Sequence, residues 1–334
     1  MSKLNVAVLM GGRSAERDVS LSTGMMILGA LDKEKYTAFA VDSARFGSAT
    51  EDSENKEGDA TVSDMLPLDY IVNSMGALPK PDVVFIALHG RFGEDGTIQG
   101  LLELLGIPYV GSGVLASALA IDKILTRKVL QNEGILIPKG MAVRRPVDVE
   151  TLRFQIERSM GYPVVIKPNR EGSTIGLSIA RTASELSVGV GIASSHDEDV
   201  LLEEYIEGTE ITGAVIGNDE PEVLPIIEIV PESGFYDYYS KYTPGATEEI
   251  VPARIPEMTY KRAGEIALDC HKALGCRGMS RTDMIIRDDE IFVLEVNTIP
   301  GMTPTSLLPR AAQAAGIEFP KLLDMLIGFA LEGK

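Results

Sequence analysis

Short apolar runs and glycine turns dominate the first part of the chain. The run 5–10 (NVAVLM) is rich in β-branched residues and ends at Gly11-Gly12. A second apolar run, 82–88, ends at His89 and is followed by a glycine-rich turn. A strand, a glycine turn and a helix in this order are typical of a parallel α/β unit. The turn lacks the GxGxxG fingerprint of dinucleotide binding, which argues against a dehydrogenase.

Polar residues stand close behind both of these strands. Ser14 is expected to cap the first helix, with Glu16 in its first turn. Glu16 could simply complement the helix dipole, or it could hold an ammonium group at the sheet edge where α/β folds bind ligands. His89 could be a turn residue or part of the same ligand-binding edge. The residues alone leave both questions open.

A strand, a glycine loop and a second strand occupy the middle of the chain. Residues 163–167 (PVVIK) end at Lys167, and the loop 168–176 follows. Backbone N–H groups in such a loop can fold over phosphates while a nearby lysine supplies positive charge. No GK[ST] precedes a helix, so this is not a Walker A loop.

Periodicity and turn residues predict the segments on either side of this loop. Residues 114–132 predict one apolar-periodic helix behind a hinge at 111–113. Residues 201–210 predict a strand, which is either an interdomain connector or a wall of an adenine pocket. The segment 42–80 predicts a surface excursion, and the long loop 231–252 predicts a lid.

Polar residues interrupt an apolar hairpin in the last part of the chain. The segment 281–306 predicts two strands around an acidic turn, followed by a loop rich in glycine and proline. Asp283, Glu295 and Asn297 stand where a buried strand would favour valine or isoleucine. Two carboxylates and an amide oxygen suit a hard cation such as Mg²⁺, whereas the alternative is a polar face in contact with solvent. The interrupted apolar run favours the metal site.

The register of this hairpin decides whether the three side chains meet. Glu295 and Asn297 are two residues apart and therefore project from the same strand face. A two-residue turn at 288–289 would place Leu294 opposite Asp283. A turn centred on residue 289 would place Glu295 there instead. Of these two registers, the second is the one that gathers all three oxygen ligands.

Composition narrows the function classes. The 334 residues, 45% of them hydrophobic, predict a globular protein of two or three domains. The net charge of −18 argues against a nucleic-acid partner. No apolar run approaches membrane-spanning length and no signal peptide is evident, so we expect a protein without membrane association. Cys270 and Cys276 are too few for a disulfide framework, fit a reducing cytosol and are expected to be buried.

Five segments of the chain, in their order, resemble the ATP-grasp enzymes and within them the D-alanine–D-alanine ligase family. They are VAVLMGGRSAERDVSLSTG, ALHGRFGEDGTIQG, VVIKPNREGSTIG, YDYYSKYTPGATEEIVPA and RTDMIIRDDEIFVLEVNTIPGMTPTS. The resemblance covers nearly the whole chain. It implies an ATP-grasp fold, α/β (α+β overall), of three domains. These are an N-terminal parallel α/β domain at 1–111, a small central domain at 112–206 and a C-terminal mixed-sheet domain at 207–334.

The resemblance also implies how the nucleotide is held, between the central and C-terminal domains. Lysines implied to contact the ATP phosphates are Lys123 and Lys167. Acidic residues implied to face the adenine and ribose are Glu203 and Glu210. The glycine loop contributes Gly172 and Ser173. The implied ligands of two Mg²⁺ ions, which Mn²⁺ can replace, are Asp283, Glu295 and Asn297.

The implied amino-acid sites lie beside the nucleotide. Glu16 would bind the ammonium of a first D-alanine, with Ser173 and Tyr242 as its partners in a triad that closes the lid. His89 would lie near this first substrate. Groups implied to steady the phosphorylated carboxyl group are the Arg281 side chain and the Gly301 backbone. Residues implied to hold the carboxylate of a second D-alanine are Lys241, Ser306 and Leu307.

The implied reaction joins two D-alanine molecules through a D-alanyl phosphate, in the cytoplasm and for peptidoglycan synthesis, in an enzyme expected to be a homodimer. The nearest alternatives are ligases of the same fold that make D-alanyl-D-lactate or D-alanyl-D-serine. An ATP-grasp ligase for another amine is a further alternative. A non-catalytic nucleotide sensor fits less well, because it would more readily have lost Arg281 or one of the implied metal ligands.

Overall fold

Three β-sheets carry the described part of the chain. In this computed structural model the described residues are 3–44, 66–67, 80–232, 243, 245–303 and 305–332. Nine helices and fifteen strands lie within these ranges. They form one parallel sheet near the N-terminus and two antiparallel sheets, one in the middle of the chain and one towards its end.

The N-terminal sheet has five parallel strands in the order β3-β2-β1-β4-β5. Residues 6–10 of its central strand are fully buried, as expected for a parallel sheet covered on both faces. The predicted parallel α/β unit is thus confirmed. The strands are β1 (Leu4–Met10), β2 (Tyr36–Asp42), β3 (Leu66–Pro67), β4 (Val83–Ile86) and β5 (Tyr109–Val110). The accompanying helices are α1 (Arg17–Ala30) and α2 (Thr97–Leu104).

A helix pair leads from this sheet to the middle sheet: α3 (Val114–Ile121) and α4 (Lys123–Asn132). The prediction of a single helix over 114–132 was therefore wrong. Asp122 breaks it by adopting an extended conformation (φ −82°, ψ 93°). Its side chain then accepts a hydrogen bond from the Leu125 amide and so caps the second helix. The break leaves Lys123 as the first residue of α4.

The middle sheet has four antiparallel strands in the order β6-β9-β7-β8. Its glycine loop joins β7 to β8, as the sequence predicted. The predicted strand over 201–210 is instead two strands, because the chain leaves the middle sheet after β9 and enters the next sheet at Thr209. The elements are β6 (Gly140–Arg144), α5 (Val149–Ser159), β7 (Val164–Pro168), β8 (Ser178–Ala180), α6 (Ala183–His196) and β9 (Asp199–Glu204).

The C-terminal sheet is antiparallel and runs β13-β12-β10-β14-β15, with β11 paired to β10. Part of the predicted loop 231–252 is strand β13, while 233–242 and 244 lie outside the described residues. Most of the predicted excursion 42–80 also lies outside them. The strands are β10 (Thr209–Gly217), β11 (Glu222–Val223), β12 (Ile227–Pro231), β13 (Thr247–Ile250), β14 (Gly278–Arg287) and β15 (Glu290–Asn297). The helices are α7 (Glu257–Ala273), α8 (Leu307–Ala314) and α9 (Phe319–Leu331).

The last described helix, α9, packs on the first sheet. Leu322 and Leu326 of α9 are fully buried in one cluster with Val6, Val8 and Phe85 of the N-terminal sheet. The three sheets lie within the ranges 1–111, 112–206 and 207–334, but α9 packs across two of these ranges. The domain boundaries therefore stay a prediction.

Two further expectations concern burial and membranes. Cys270 and Cys276 are buried free thiols, as predicted. No described helix has both the length and the apolar composition that a bilayer-spanning segment needs.

Candidate active site

The β14–β15 hairpin brings the predicted metal ligands together by an unforeseen route. Its turn is the two-residue turn 288–289, whose residues have φ of 50° and 66°. Pairing follows that turn as far as Val293, and a bulge then adds Leu294 to the outer strand. Asp283 consequently faces Glu295. Neither predicted register was right, because the turn belongs to one and the pairing beyond the bulge to the other.

A hydrogen-bond network connects these ligands to a guanidinium group. Arg281 donates to both carboxylate oxygens of Asp283, at 2.8 and 2.7 Å. Thr212 of β10 donates to the same carboxylate at 2.6 Å. With the amide of Asn297 oriented to suit its neighbours, its nitrogen donates to Glu94 (2.9 Å) and its oxygen accepts from Arg281 (3.0 Å). Asp283 and Asn297 are thus held in place by bonds to one arginine.

The donor set fits a hard cation. Asp283, Glu295 and Asn297 offer two carboxylates and an amide oxygen from adjacent, paired strands. Among the described residues, no three His, Cys, Asp or Glu side chains form a metal-holding group. That finding is consistent with a set whose third member is an amide, and the metal site stays a prediction.

A cavity of about 500 Å³ lies between the middle and C-terminal sheets and is called the first cavity below. Its wall includes the side chain of Lys167 at the end of β7 and the acidic residues Glu203 and Glu210. Thr174 and Ile175 of the glycine loop also line it. The structure therefore gathers most residues predicted to hold a nucleotide around one space.

Arg127 is a buried residue beside the first cavity to which the sequence assigned no role. It lies on α4, is 9% exposed and forms an ion pair with Glu203. The other oxygen of Glu203 is 2.5 Å from the ammonium of Lys167. Both carboxylate oxygens of Glu203 thus have cationic partners. The usable sequence signal for Arg127 was its spacing of four residues from Lys123 on a predicted helix, which Lys128 lacks.

A second cavity, of about 580 Å³, lies between the N-terminal and C-terminal sheets. Lys123, Glu171 and Glu295 line both cavities and form their shared wall. The Lys123 ammonium is 3.6 Å from the Glu295 carboxylate and donates to the Glu171 carbonyl at 2.6 Å. A group bound in one cavity can therefore meet a group bound in the other beside a lysine.

Glu16 reaches into the second cavity from the start of α1. It is the N-cap residue of that helix, one position before the first turn in which it was predicted. Its carboxylate, 5% exposed, accepts a hydrogen bond from the Ser173 hydroxyl of the glycine loop. A Cβ atom added to Gly172 or Gly90 would lie 2.9 or 2.7 Å from it. Glycine at both positions is what allows the two loops to approach this carboxylate.

Ser14 does not cap α1, contrary to the prediction. Its hydroxyl donates instead to the carbonyl of His89, at 2.8 Å, and so ties the turn after β1 to the turn after β4. The side chain of His89 lines the second cavity beside Thr23, whose hydroxyl is 3.2 Å from Nε2. Burial, and after it the nearby positive charge of Arg281, lowers the pKa of His89 to about 4. His89 is therefore a neutral imidazole at pH 7.

Glu94 is a second residue that the sequence analysis missed. Its carboxylate accepts from the Gly90 amide at 2.6 Å and from Asn297. Burial, and after it the negative charge of Glu16, raises its pKa to about 8. The usable signal was an acidic residue in the glycine turn directly after a buried strand.

The far end of the second cavity is formed by the start of α8. Ser306 is the N-cap residue of this helix, and Leu307 is its first residue. The Ser306 hydroxyl accepts from the Thr303 amide at 3.1 Å. A Cβ atom on Gly301 would lie 2.8 Å from that hydroxyl, so the loop needs glycine there. Three predicted site residues therefore meet here: Gly301, Ser306 and Leu307.

An ion pair beside this end was not predicted. Arg310 of α8 is 2.5 Å from the carboxylate of Glu249 on β13, and both line the second cavity. Burial raises the pKa of Glu249, and Arg310 opposes that shift. The predicted residues Lys241 and Tyr242 lie outside the described residues.

Two family models together match most of the chain. The model described as D-ala D-ala ligase N-terminus matches residues 5–112, and the model described as D-ala D-ala ligase C-terminus matches residues 129–328. The chain belongs to the D-alanine–D-alanine ligase family. The expected resemblance is thereby confirmed.

Relatives match over their full length. The D-alanine–D-alanine ligase of Syntrophobacter fumaroxidans is 48% identical, over 99% of this chain and 98% of its own. That of Pelotomaculum thermopropionicum is 45% identical, over 98% of this chain and 97% of its own.

Solved structures confirm the fold class. The D-alanine–D-alanine ligase of Bacillus anthracis complexed with ATP is 34% identical, with a TM-score of 0.77 over 98% of this chain and 97% of its own. The VanG D-Ala:D-Ser ligase of Enterococcus faecalis is 33% identical, with a TM-score of 0.80 over 99% of this chain and all of its own. The fold is thus the ATP-grasp fold of these ligases.

Proposed function

We propose that the protein is an ATP-dependent ligase that joins two D-alanine molecules into D-alanyl-D-alanine for peptidoglycan synthesis. The observation that carries the proposal is the shared wall of the two cavities, where Lys123 and Glu295 stand between the cavity proposed for the nucleotide and the cavity proposed for the amino acids. Family membership supports the substrate. ATP use is supported by the ATP complex of the Bacillus anthracis relative.

The first step transfers a phosphoryl group. ATP occupies the first cavity, with its phosphates towards Lys123 and Lys167 and its adenosine towards Glu203 and Glu210. The carboxylate of the first D-alanine attacks the γ-phosphate at the shared wall and gives D-alanyl phosphate and ADP. Lys123 can stabilise the charge that spreads over the transferring group, and such electrostatic stabilisation is the main work in phosphoryl transfer.

Glu16 orients the first substrate. Its carboxylate holds the substrate ammonium, and the Ser173 hydroxyl holds Glu16 itself. The neutral His89 lies beside the same substrate. Gly172, which has no side chain, leaves room for that substrate. Since an acyl phosphate hydrolyses in water, burial of this corner of the cavity protects the intermediate.

The second step forms the peptide bond. The carboxylate of the second D-alanine lies at the start of α8, near Ser306 and Leu307, with Lys241 as a further partner. Its amine attacks the acyl carbon, loses a proton and displaces phosphate. Arg281 and the Gly301 backbone steady the acyl phosphate during this attack. Tyr242 closes the site together with Ser173.

A divalent cation fits this site. Asp283, Glu295 and Asn297 would hold two Mg²⁺ ions, or Mn²⁺ in their place. Bound there, the ions would neutralise charge on the nucleotide phosphates. The oxygen donor set on two paired strands supports this assignment.

Four finer points complete the proposal. We place the enzyme in the cytoplasm, where ATP is available, and expect no membrane association. We also expect a homodimer. We expect no nucleic-acid partner, since the chain carries a net charge of −18.

The decisive experiment measures phosphate release from ATP with a panel of D- and L-amino acids and D-lactate, together with the identity of each product. The proposal requires D-alanine alone to support turnover and to yield D-alanyl-D-alanine. A second candidate is a D-alanine–D-serine ligase, which the likeness to VanG keeps open. A mixed product formed in preference from D-alanine and D-serine would replace the first proposal by the second. If no member of the panel supports phosphate release from ATP, both proposals are contradicted.

A further inference from the structure

We infer that Arg127 is a positioning residue of the nucleotide site: it binds the buried carboxylate of Glu203 so that the ammonium charge of Lys167 remains available to nucleotide phosphates. This inference deepens the proposed function and rests on the assignment of the first cavity to ATP. Arg127 itself would not touch the nucleotide.

The position of Arg127 supports an indirect role. It follows Lys123 by four residues on α4, so both side chains leave the same face of the helix. Lys123, Lys167 and Glu203 line the first cavity, whereas Arg127 stands behind that wall. Its side chain nevertheless reaches the wall through its ion pair with Glu203.

The guanidinium group connects three parts of the chain. Arg127 is anchored on α4 and donates through Nη1 to Glu203 of β9. Through Nη2 it donates to the carbonyl of Pro138, at 2.6 Å, in the connector before β6. A Cβ atom on Gly140 would lie 2.9 Å from Nη2, so this neighbour leaves space for the arginine head. A planar fork can bond two acceptors in this way, whereas a lysine ammonium offers one compact charge.

The charge count gives Arg127 its consequence. The carboxylate of Glu203 is 3% exposed and accepts from two cations, Lys167 and Arg127. One carboxylate and two cations leave one positive charge in the cluster. Without Arg127, Lys167 and Glu203 would neutralise each other 2.5 Å apart. Charges interact more strongly in a buried site than in water, so one positive charge there should raise the affinity for a polyphosphate.

The test compares ligands that share adenosine and differ in phosphates. Calorimetry on the full-length enzyme, with Mg²⁺ and without amino acid, gives the affinities for ATP, ADP and adenosine. In Arg127→Met we expect the ATP affinity to fall at least tenfold, and the ADP affinity to fall by a smaller factor. The adenosine affinity should stay within about twofold. Lys128→Met is the matched control, because it removes the same charge from an exposed neighbour on the same helix.

Two further variants separate charge from architecture. Arg127→Lys keeps the cation and loses the fork, so its ATP affinity should stay within about threefold of the wild type. The double variant Arg127→Met/Glu203→Gln again leaves one positive charge in the cluster. Because Glu203 also faces the adenosine, rescue is measured as the ratio of ATP affinity to adenosine affinity, which should be higher than in Arg127→Met alone. A purely structural role for Arg127 predicts no such rescue.

The outcomes are distinct. An equal loss of ATP and adenosine affinity in Arg127→Met, or no loss at all, would overturn the inference. If Arg127→Met does not fold, Arg127→Lys decides: a tenfold loss of ATP affinity with unchanged adenosine affinity contradicts a charge-based role. Wild-type enzyme that binds no ATP would instead refute the proposed function. A wild type that binds ATP, with an unaffected Arg127→Met variant, would refute this inference alone.

Discussion

Glu203 and Glu228 of the first cavity and Glu94 of the second are buried glutamates with different kinds of partner. In the first cavity, Glu203 is held by Arg127 and Lys167, and Glu228 by Arg254. In the second, the bonds to Glu94 come from the amide groups of Gly90 and Asn297.

Two of these glutamates, Glu94 in the second cavity and Glu228 in the first, have pKa values shifted in opposite directions. The pKa of Glu94 rises to about 8, mainly through burial and then through Glu16. The pKa of Glu228 is lowered, mainly by its hydrogen bond with Arg254. A carboxylate paired with arginine adds little field of its own. In the second cavity a pKa of about 8 leaves Glu94 largely protonated at pH 7, so the negative charge of this corner comes from Glu16. That corner suits the ammonium group of an amino acid.

The largest effect on turnover is expected at the wall that both cavities share. Glu295→Gln removes a carboxylate that faces Asp283 and lies 3.6 Å from Lys123. Loss of one predicted metal ligand should lower kcat by about 10²–10³, because the charge of the transferring phosphoryl group is no longer balanced. Steady-state phosphate release at ordinary Mg²⁺ measures this effect.

The control for that change is Glu290→Gln, an exposed glutamate at the start of the same strand. It should retain wild-type turnover. Near-normal kcat in Glu295→Gln would show that Glu295 is not a metal ligand.

His89, in the second cavity, should make the stability of the protein sensitive to acid. The pKa of His89 is lowered from 6.5 to about 4 by burial, so the folded state holds the imidazole neutral. Between these values the unfolded chain binds the proton more strongly, and stability is lost as the pH falls from about 6.5 towards 4. The loss should reach about 3 kcal/mol, since each pKa unit corresponds to about 1.36 kcal/mol.

Urea unfolding of wild type and His89→Gln between pH 7 and pH 4 measures this contribution. The variant should lose less stability over that interval. His271, whose pKa burial also lowers to about 4, lies away from both cavities and provides the matched variant. Parallel pH profiles for wild type and His89→Gln would show that His89 does not charge on unfolding.

Glu16→Gln should affect one cavity and spare the other. A charge-assisted bond to a partly buried ammonium is worth roughly 1.5–3 kcal/mol, so the affinity for the first D-alanine should fall at least tenfold. ATP binding, measured by calorimetry without amino acid, should be unchanged. If Glu16 only complements the dipole of α1, D-alanine affinity is retained and the melting temperature drops instead. The free energy of unfolding would then fall by roughly 0.3–1 kcal/mol.

The smallest effect concerns how Lys123 reaches the shared wall. Asp122→Ala removes the side chain that caps α4, and should cost about 1 kcal/mol of unfolding free energy. Urea denaturation measures that loss, and KM for ATP should rise only slightly. Asp148→Ala, which removes the cap of α5 away from both cavities, is the comparison. Equal KM values for ATP in both variants would show that the Asp122 cap does not place Lys123.

The first cavity was the more predictable from sequence, because its parts are local. A strand ending at Lys167 and a glycine loop are neighbours along the chain. Local periodicity did not reveal the break at Asp122, since a capping aspartate also fits within a helical pattern. The bulge at Leu294 was equally hidden, because a bulge alters pairing without altering the apolar pattern of its own strand.

The second cavity depended on contacts between distant segments. Glu94 meets Asn297 across about two hundred residues of sequence, and Arg310 meets Glu249 across helix α7 and the β14–β15 hairpin. Such partners have no spacing to detect. The family resemblance supplied Glu16 and Ser173, whereas charge and burial in the structure supplied Arg127 and Glu94.

The packing of α9 on the N-terminal sheet has a consequence for biosynthesis. Val6 and Phe85 leave the ribosome early, while Leu322 and Leu326, which belong to the same apolar cluster, are made much later. The first sheet must therefore keep part of one apolar face exposed until α9 has been made. Contacts this distant in sequence form slowly, and exposed apolar surface favours association in the meantime. The nascent chain should accordingly depend on holding chaperones until α9 emerges.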